Sequence, residues 1–134
     1  MSNLLFLPVL FQISWVAMLY VLLTVLRAPK VWGIGANLEG NNPLAKFEPR
    51  VSANLTNQFE WPVLFYSICT LLIARPELYK SIYLWLAWLF IIGRILHSGV
   101  QIFTANIRFR GLIFTINFIA VLFMWFFLGL DILA

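Results

Sequence analysis

Two sets of polar side chains recur at helical spacing inside otherwise apolar sequence. Arg50, Asn54, Asn57 and Glu60 are separated by four, three and three residues, so on a helix they share one face. The stripe descends about 15 Å at about 1.5 Å per residue. It offers a guanidinium, two amides and a carboxylate in a row, which suits a zwitterionic, peptide-like ligand carrying carboxylates and an amine. The same row also serves as a polar ladder, since hydrogen-bonded side chains commonly hold membrane helices together. Arg94, His97 and Gln101 are separated by three and four and form a second face. Arg94 is placed to pair with Glu60 and cancel two buried charges. That role is structural rather than catalytic, because a lone buried partner is strongly destabilising. His97 is either a hydrogen-bonded interior histidine or an acid–base group. Arg108 and Arg110 sit where a last helix begins. Either they anchor a positively charged face, or one projects inward and stabilises an anion. With one His and one Cys in the chain, no transition-metal site is expected. Cys69, in an apolar run, reads as an inert thiol with no internal disulfide.

These stripes need apolar helices to hold them. Of the 134 residues, 63% are hydrophobic and 10% charged, and the mean hydropathy is +0.94. A soluble domain carries about 25% charged residues, so this chain cannot cover a water-facing surface. That excludes an ordinary soluble enzyme, a disordered protein and a nucleic-acid binder. Nine Lys+Arg against five Asp+Glu give a net charge of +4, which here reflects membrane topology or an anionic ligand. The length fits one domain over residues 1–134. Apolar runs predict helices over about 4–27, 50–74, 80–105 and 110–133. The first run, Leu4–Leu26, makes a helix about 34 Å long, enough for a hydrocarbon core of about 30 Å. It lacks the basic leader of a signal peptide, since no Lys or Arg precedes Arg27, so it reads as a retained helix whose exit is marked by Arg27, Pro29 and Lys30. Pro62 frees the carbonyl of Gln58 and predicts a kink in the second helix. Residues 31–49 hold Gly33, Gly35, Gly40, Asn41, Asn42, Pro43 and Pro49, a polar loop with turn chemistry that suits a lid or site wall. Arg27, Lys30, Lys46, Arg50, Arg108 and Arg110 fall on one face of the bundle, and Arg75 and Lys80 on the other. Positive charge stays inside, so the long loop is expected in the cytoplasm and both termini outside. The expected fold is all-α, an integral membrane antiparallel four-helix bundle.

The same residues resemble a known family. Four membrane helices, a long first cytoplasmic loop, and Arg50, Asn57, Glu60, Pro62 and Phe65 within RVSANLTNQFEWPVLF resemble MAPEG, the membrane-associated proteins in eicosanoid and glutathione metabolism. The segment GRILHSGVQIFTANIRFRG is similar to that family's third helix and its exit, with Arg94 and His97 at the corresponding places. The resemblance covers essentially the whole chain in architecture. It implies a homotrimer with glutathione bound as co-substrate in a cleft between subunits, near the cytoplasmic face. By this resemblance Arg50, Asn57 and Glu60 hold the tripeptide, with Arg94, His97 and Gln101 beside them. Arg27, or else Lys30, reaches in from a neighbour, and Arg110 or Arg108 stabilises the thiolate. Some members that make prostaglandin or leukotriene carry a second basic residue where this chain has Ala53, and a tyrosine where it has Gln101. Both departures point away from eicosanoid synthesis, and Asn54 offers one compensating contact.

The implied activity is a membrane-bound glutathione-dependent transferase or peroxidase. A guanidinium beside the sulfur favours the thiolate, which attacks a lipophilic electrophile concentrated by the bilayer. The competing reading is a non-enzymatic protein of the same fold that binds lipids or a partner. A small transporter subunit is disfavoured, because the polar residues gather toward one membrane face and do not cross it. Partners are then other copies of the chain, membrane lipids and a lipophilic small molecule, with no nucleic acid. The small size and lack of targeting motifs point to a bacterial inner membrane, with the site toward the cytoplasm.

Overall fold

A computed structural model describes residues 1–37, 39 and 41–134. Gly40, one of the turn residues of the loop, lies outside the described residues. The elements are α1 (Phe6–Trp32), α2 (Glu48–Gln58), α3 (Pro62–Ala74), α4 (Ser81–Phe103) and α5 (Ile107–Leu133), with 3₁₀ turns at Ser2–Leu5 and Pro76–Leu78. Every element among the described residues is helical. Three helical stretches are long and apolar enough to cross a membrane, Ser2–Trp32, Ser81–Phe103 and Ile107–Leu133. The α2–α3 leg supplies the fourth rod of the bundle. The protein is an integral membrane protein built as an all-α, antiparallel four-helix bundle.

Two boundaries depart from the sequence expectation. The first helix continues past Arg27, Pro29 and Lys30 to Trp32. Pro29 has a helical φ and is carried inside the last turn, where only the Val25 carbonyl loses its helical donor. The helix stops where Gly33 takes a left-handed φ of 70°, its N–H closing onto the Pro29 carbonyl at 3.1 Å, a glycine C-cap. The second helix is broken, not merely kinked. Pro62 cannot donate to the Gln58 carbonyl, so α2 ends at Gln58 and Phe59–Trp61 form a turn before α3. Tight bonds from Phe59 N–H to Thr56 carbonyl (3.1 Å) and from Val63 N–H to Glu60 carbonyl (3.2 Å) carry the chain through it.

The ends of the bundle are pinned by charge. Arg27 on α1 pairs with Glu48 at the start of α2 at 2.7 Å. At the opposite end Lys80 pairs with Asp131 at 2.5 Å, and Tyr83 Oη donates to the same carboxylate at 3.2 Å, joining the start of α4 to the end of α5. These contacts place Arg27, Lys30, Arg50, Arg108 and Arg110 toward one end and Arg75 and Lys80 toward the other. Exposed Glu77 lies in the turn after α3, where its hydrogen bond to Arg75 holds its carboxyl below the usual carboxylate range.

Two apolar cores are separated by a polar layer. One core packs Leu5, Phe65, Ile68, Leu72, Phe90, Val121 and Met124, with Phe65 and Phe90 stacked at 4.2 Å between centroids. The other packs Leu19, Leu23 and Leu26 of α1 against Val51, Leu55 and Ile102. Between them lie Gln12, Asn54, Gln58, Ser98 and Gln101, all buried. With no water in hydrocarbon, buried polar groups must satisfy one another. Gln12 donates to Gln58 at 2.8 Å, Ser98 Oγ donates to Asn54 at 2.9 Å, and Asn54 donates to Gln101 at 2.9 Å. Trp15 indole adds a bond to Ser98 Oγ at 3.1 Å. This layer ties α1, α2 and α4 in register.

Candidate functional site

Below the charged end, a cleft of about 240 Å³ opens between α2, the end of α4 and the start of α5. Its walls include Arg50, Ala53, Gln101, Thr104 and Arg110. Each arrives for a local reason. Glu48 and Pro49 start α2, and one turn places Arg50 at the rim, where Nη1 donates to the Ile102 carbonyl at 3.2 Å. That bond occupies an otherwise unpartnered carbonyl of the last turn of α4 and leaves the rest of the guanidinium fork free. Asn106 caps α5, its side chain accepting from Phe109 N–H at 3.0 Å. The cap fixes the first turn, which carries Arg110 into the cleft. Arg108 is exposed and does not line it. Successive helical residues turn by about 100°, so two positions apart face nearly opposite ways.

Gln101 forms the floor. Its Oε1 accepts from both Asn54 at 2.9 Å and Asn57 at 3.2 Å, which orients Nε2 as the unengaged donor. Two guanidinium groups, an amide donor and the positive end of the α5 dipole therefore converge on one cavity. Such a set of donors suits an anion, and positive charge favours a carboxylate or a thiolate over their protonated forms.

Within the predicted stripe the members separate. Asn57 is half-buried beside Gln101. Asn54 is fully buried, and both ends of its amide are held, by Gln101 on one side and by Ser98 and Gln58 on the other. It belongs to the locking ladder and lines no cleft wall. Glu60 lies in the turn after α2 and is exposed. The expected Arg94–Glu60 pair is not formed. Arg94 is 0% exposed inside the bundle, while the break at Pro62 turns Glu60 outward, and no nitrogen of Arg94 has a hydrogen-bond partner. His97 is buried one turn from Arg94, its ring 5.8 Å from that of Phe114. Neither Arg94 nor His97 lines the cleft of Arg50 and Arg110.

Arg27 and Lys30 line a second, larger cleft of about 510 Å³ with Leu26, Asn42 and Glu48. Asn42 Nδ2 donates to the Leu26 carbonyl at 2.8 Å, so the polar loop forms one wall of this cleft. Arg27 also reaches Ser52 at 3.4 Å. The two clefts share no lining residue within the chain.

Several contributors carried only weak signals in the sequence. Gln12 and Asn117 are lone polar residues in long apolar runs, and interior polar residues in membrane helices mark internal partners. Glu48 and Thr104 sit at helix ends and carried no spacing signal. Among the described residues no group of His, Cys, Asp and Glu is placed to hold a metal ion.

The MAPEG family model matches residues 5–130, nearly the whole chain. No curated protein and no solved structure matches.

Proposed function

The chain belongs to the MAPEG family, and from that premise we propose that it is a membrane-bound glutathione-dependent transferase or peroxidase acting on lipophilic electrophiles. The family is one of membrane proteins generally linked to glutathione. The observation that carries the reading is the convergence of Arg50, Arg110 and Gln101 on one cleft at the capped start of α5. Arg50 and the Gln101 amide suit the carboxylates and peptide groups of the tripeptide, and Asn57 supports Gln101. Arg110, rather than Arg108, faces the thiol. A free thiol has a pKa near 8.5, so only a few per cent is thiolate at pH 7. A guanidinium beside the sulfur lowers that pKa, each unit corresponding to about 1.4 kcal/mol. The thiolate then attacks the electrophilic atom, an S–C bond forms, and the leaving group departs or a strained ring opens.

A homotrimer fits the exposed side chains. Glu60 would stand against lipid in a lone subunit, and a charged group in the hydrocarbon costs about 2.5–3.5 kcal/mol on insertion scales. A neighbouring subunit would cover it, and Arg27 would contribute to that neighbour's cleft. Arg94 and His97 act from below, with no direct contact to the tripeptide. The reading places the charged end in the cytoplasm, by the excess of Arg and Lys there, and in a bacterial inner membrane. A non-enzymatic lipid- or partner-binding role is the second reading. It is favoured by Ala53 on the cleft wall and by Gln101, whose acceptor is already held by two asparagines.

The test is glutathione-dependent turnover of a lipophilic aryl halide in detergent. Arg110→Ala is expected to lower kcat/KM about tenfold or more, and Arg108→Ala less than about twofold. Equal effects of the two substitutions contradict the assignment of Arg110. Binding of lipid without any thiol-dependent turnover would favour the second reading.

A further inference from the structure

The last turns of α1 leave the hydrocarbon carrying an uncommitted cation. The apolar run that ends at Leu26 is long enough to cross a core of about 30 Å, so Arg27 and Lys30 stand at the level of the phosphates of one leaflet. Arg27 is engaged, by Glu48 at 2.7 Å and by Ser52 at 3.4 Å. Lys30 is exposed, and among the described residues it joins no ion pair. The cleft of about 510 Å³ that it lines therefore holds two cations against one carboxylate, that of Glu48. One positive charge is left over.

An apolar cleft of about 390 Å³ flanks the same turns, lined by Val25, Ala28, Pro29, Ile34 and Leu44 with others. At about 100° per residue, Val25, Ala28 and Pro29 face away from the side of α1 that carries Arg27 and Lys30. Val25, Ile34 and Leu44 are 59%, 69% and 47% exposed. Leu26 and Asn42 line both clefts, so the polar and apolar spaces meet there. Asn42 fixes the junction, because its Nδ2 donates to the Leu26 carbonyl at 2.8 Å and its Oδ1 accepts from Leu44 N–H at 2.9 Å. Trp32, 73% exposed at the end of α1, is of a type that settles at headgroup level.

We propose that this junction binds one anionic phospholipid from the leaflet at the charged end. Its phosphodiester lies against Lys30 in the polar cleft, and the glycerol end of one acyl chain lies against Val25, Ile34 and Leu44. A phosphodiester carries a single negative charge, which matches the one cation left over. A compact ammonium on a flexible stem meets such a group as a point charge and needs no fork. The exposed apolar side chains beside it are answered by a lipid chain and not by a soluble anion. Arg108 is also exposed at this end but lines neither cleft, so it is the natural comparison. The inference does not rest on the glutathione reading, since neither a thiol nor an electrophile enters it.

The test is native mass spectrometry of the detergent-purified full chain, titrated with dioleoylphosphatidylglycerol or with dioleoylphosphatidylcholine. The expected result is one phosphatidylglycerol retained per chain, bound about fivefold more tightly than phosphatidylcholine, the factor that one cation near an anionic headgroup supplies. Lys30→Gln should remove that preference. Arg108→Gln should change it by less than about twofold. Both positions are exposed, where substitutions seldom unfold a protein. Glycerol phosphate, which has the phosphate without the chains, should not compete. Equal affinity for the two lipids would overturn the site. Equal losses in Lys30→Gln and Arg108→Gln would overturn it by making the attraction one of overall charge. Displacement by glycerol phosphate would overturn it in favour of a soluble anion.

Discussion

Asn54 separates the two roles open to the polar stripe, and its replacement by alanine tests which one it fills. In the folded protein its amide takes part in three hydrogen bonds, to Gln101 at 2.9 Å, from Ser98 at 2.9 Å and from Gln58 at 3.2 Å. Interhelical hydrogen bonds in membrane proteins average about 0.6 kcal/mol and reach about 1.7. Leaving a buried partner unsatisfied costs about 1–3 kcal/mol. Not every partner is orphaned here, because Gln101 keeps Asn57, Ser98 keeps the Trp15 indole, and Gln58 keeps Ser98 at 3.5 Å. Asn54→Ala should therefore destabilise the bundle by about 2–3 kcal/mol, read from equilibrium unfolding in mixed micelles with rising dodecyl sulfate. Glutathione affinity should change by less than about threefold, or about 0.6 kcal/mol, because Asn54 lines no cleft wall. A stability loss under about 0.5 kcal/mol together with a tenfold loss of affinity would refute this, and would return Asn54 to the ligand.

Gly93 and Asn117 should behave as a coupled pair. A Cβ at position 93 would stand 3.2 Å from Asn117 Cγ and 3.3 Å from Ile116 Cγ2, and overpacking of that kind costs about 1–3 kcal/mol, against about 1 kcal/mol gained in helix propensity. Gly93→Ala should destabilise the wild type and become neutral or stabilising on an Asn117→Ala background; the same sign in both backgrounds in the micelle assay would contradict the close approach. Glu77 should titrate below its ordinary value of 4.5 because of its hydrogen bond to Arg75, and carboxyl carbon NMR should show Arg75→Gln bringing the midpoint back up. The sign follows from the depressed folded-state value: any stability this pair adds is present above pH 4.5 and fades as pH falls through the lower folded midpoint.

The helical bundle was legible because apolar runs of membrane length leave the chain few alternatives. The charged face was legible for a related reason, since Arg27, Arg50 and Arg110 flank those runs. Periodicity also located the stripe, but a period gives the face of a helix and not what the face meets. Asn54 and Asn57 share that face, yet the polar layer engages both ends of the Asn54 amide and leaves Asn57 half-buried, with its one hydrogen bond to Gln101. Pro62 announced a disturbance, and whether it kinks or breaks the helix depends on the turn that Phe59–Trp61 can close. The consequence fell on Glu60, which left the helical register and lost the partner expected in Arg94. Asn117 gave no periodic signal at all, because its significance comes from the close approach to Gly93 on another helix. That Arg110 lines the cleft and Arg108 does not follows from where Asn106 starts α5, a position that sequence patterns fix only to within a residue or two.

Calorimetric titration of glutathione into the detergent-purified protein tests the central claim most directly, run beside an Arg50→Ala, Arg110→Ala double variant and an Arg108→Ala control. The account predicts saturable binding to the wild type and the control, lost in the double variant while its unfolding transition is retained. Binding that survives the double variant, or no binding to a demonstrably folded wild type, would contradict it.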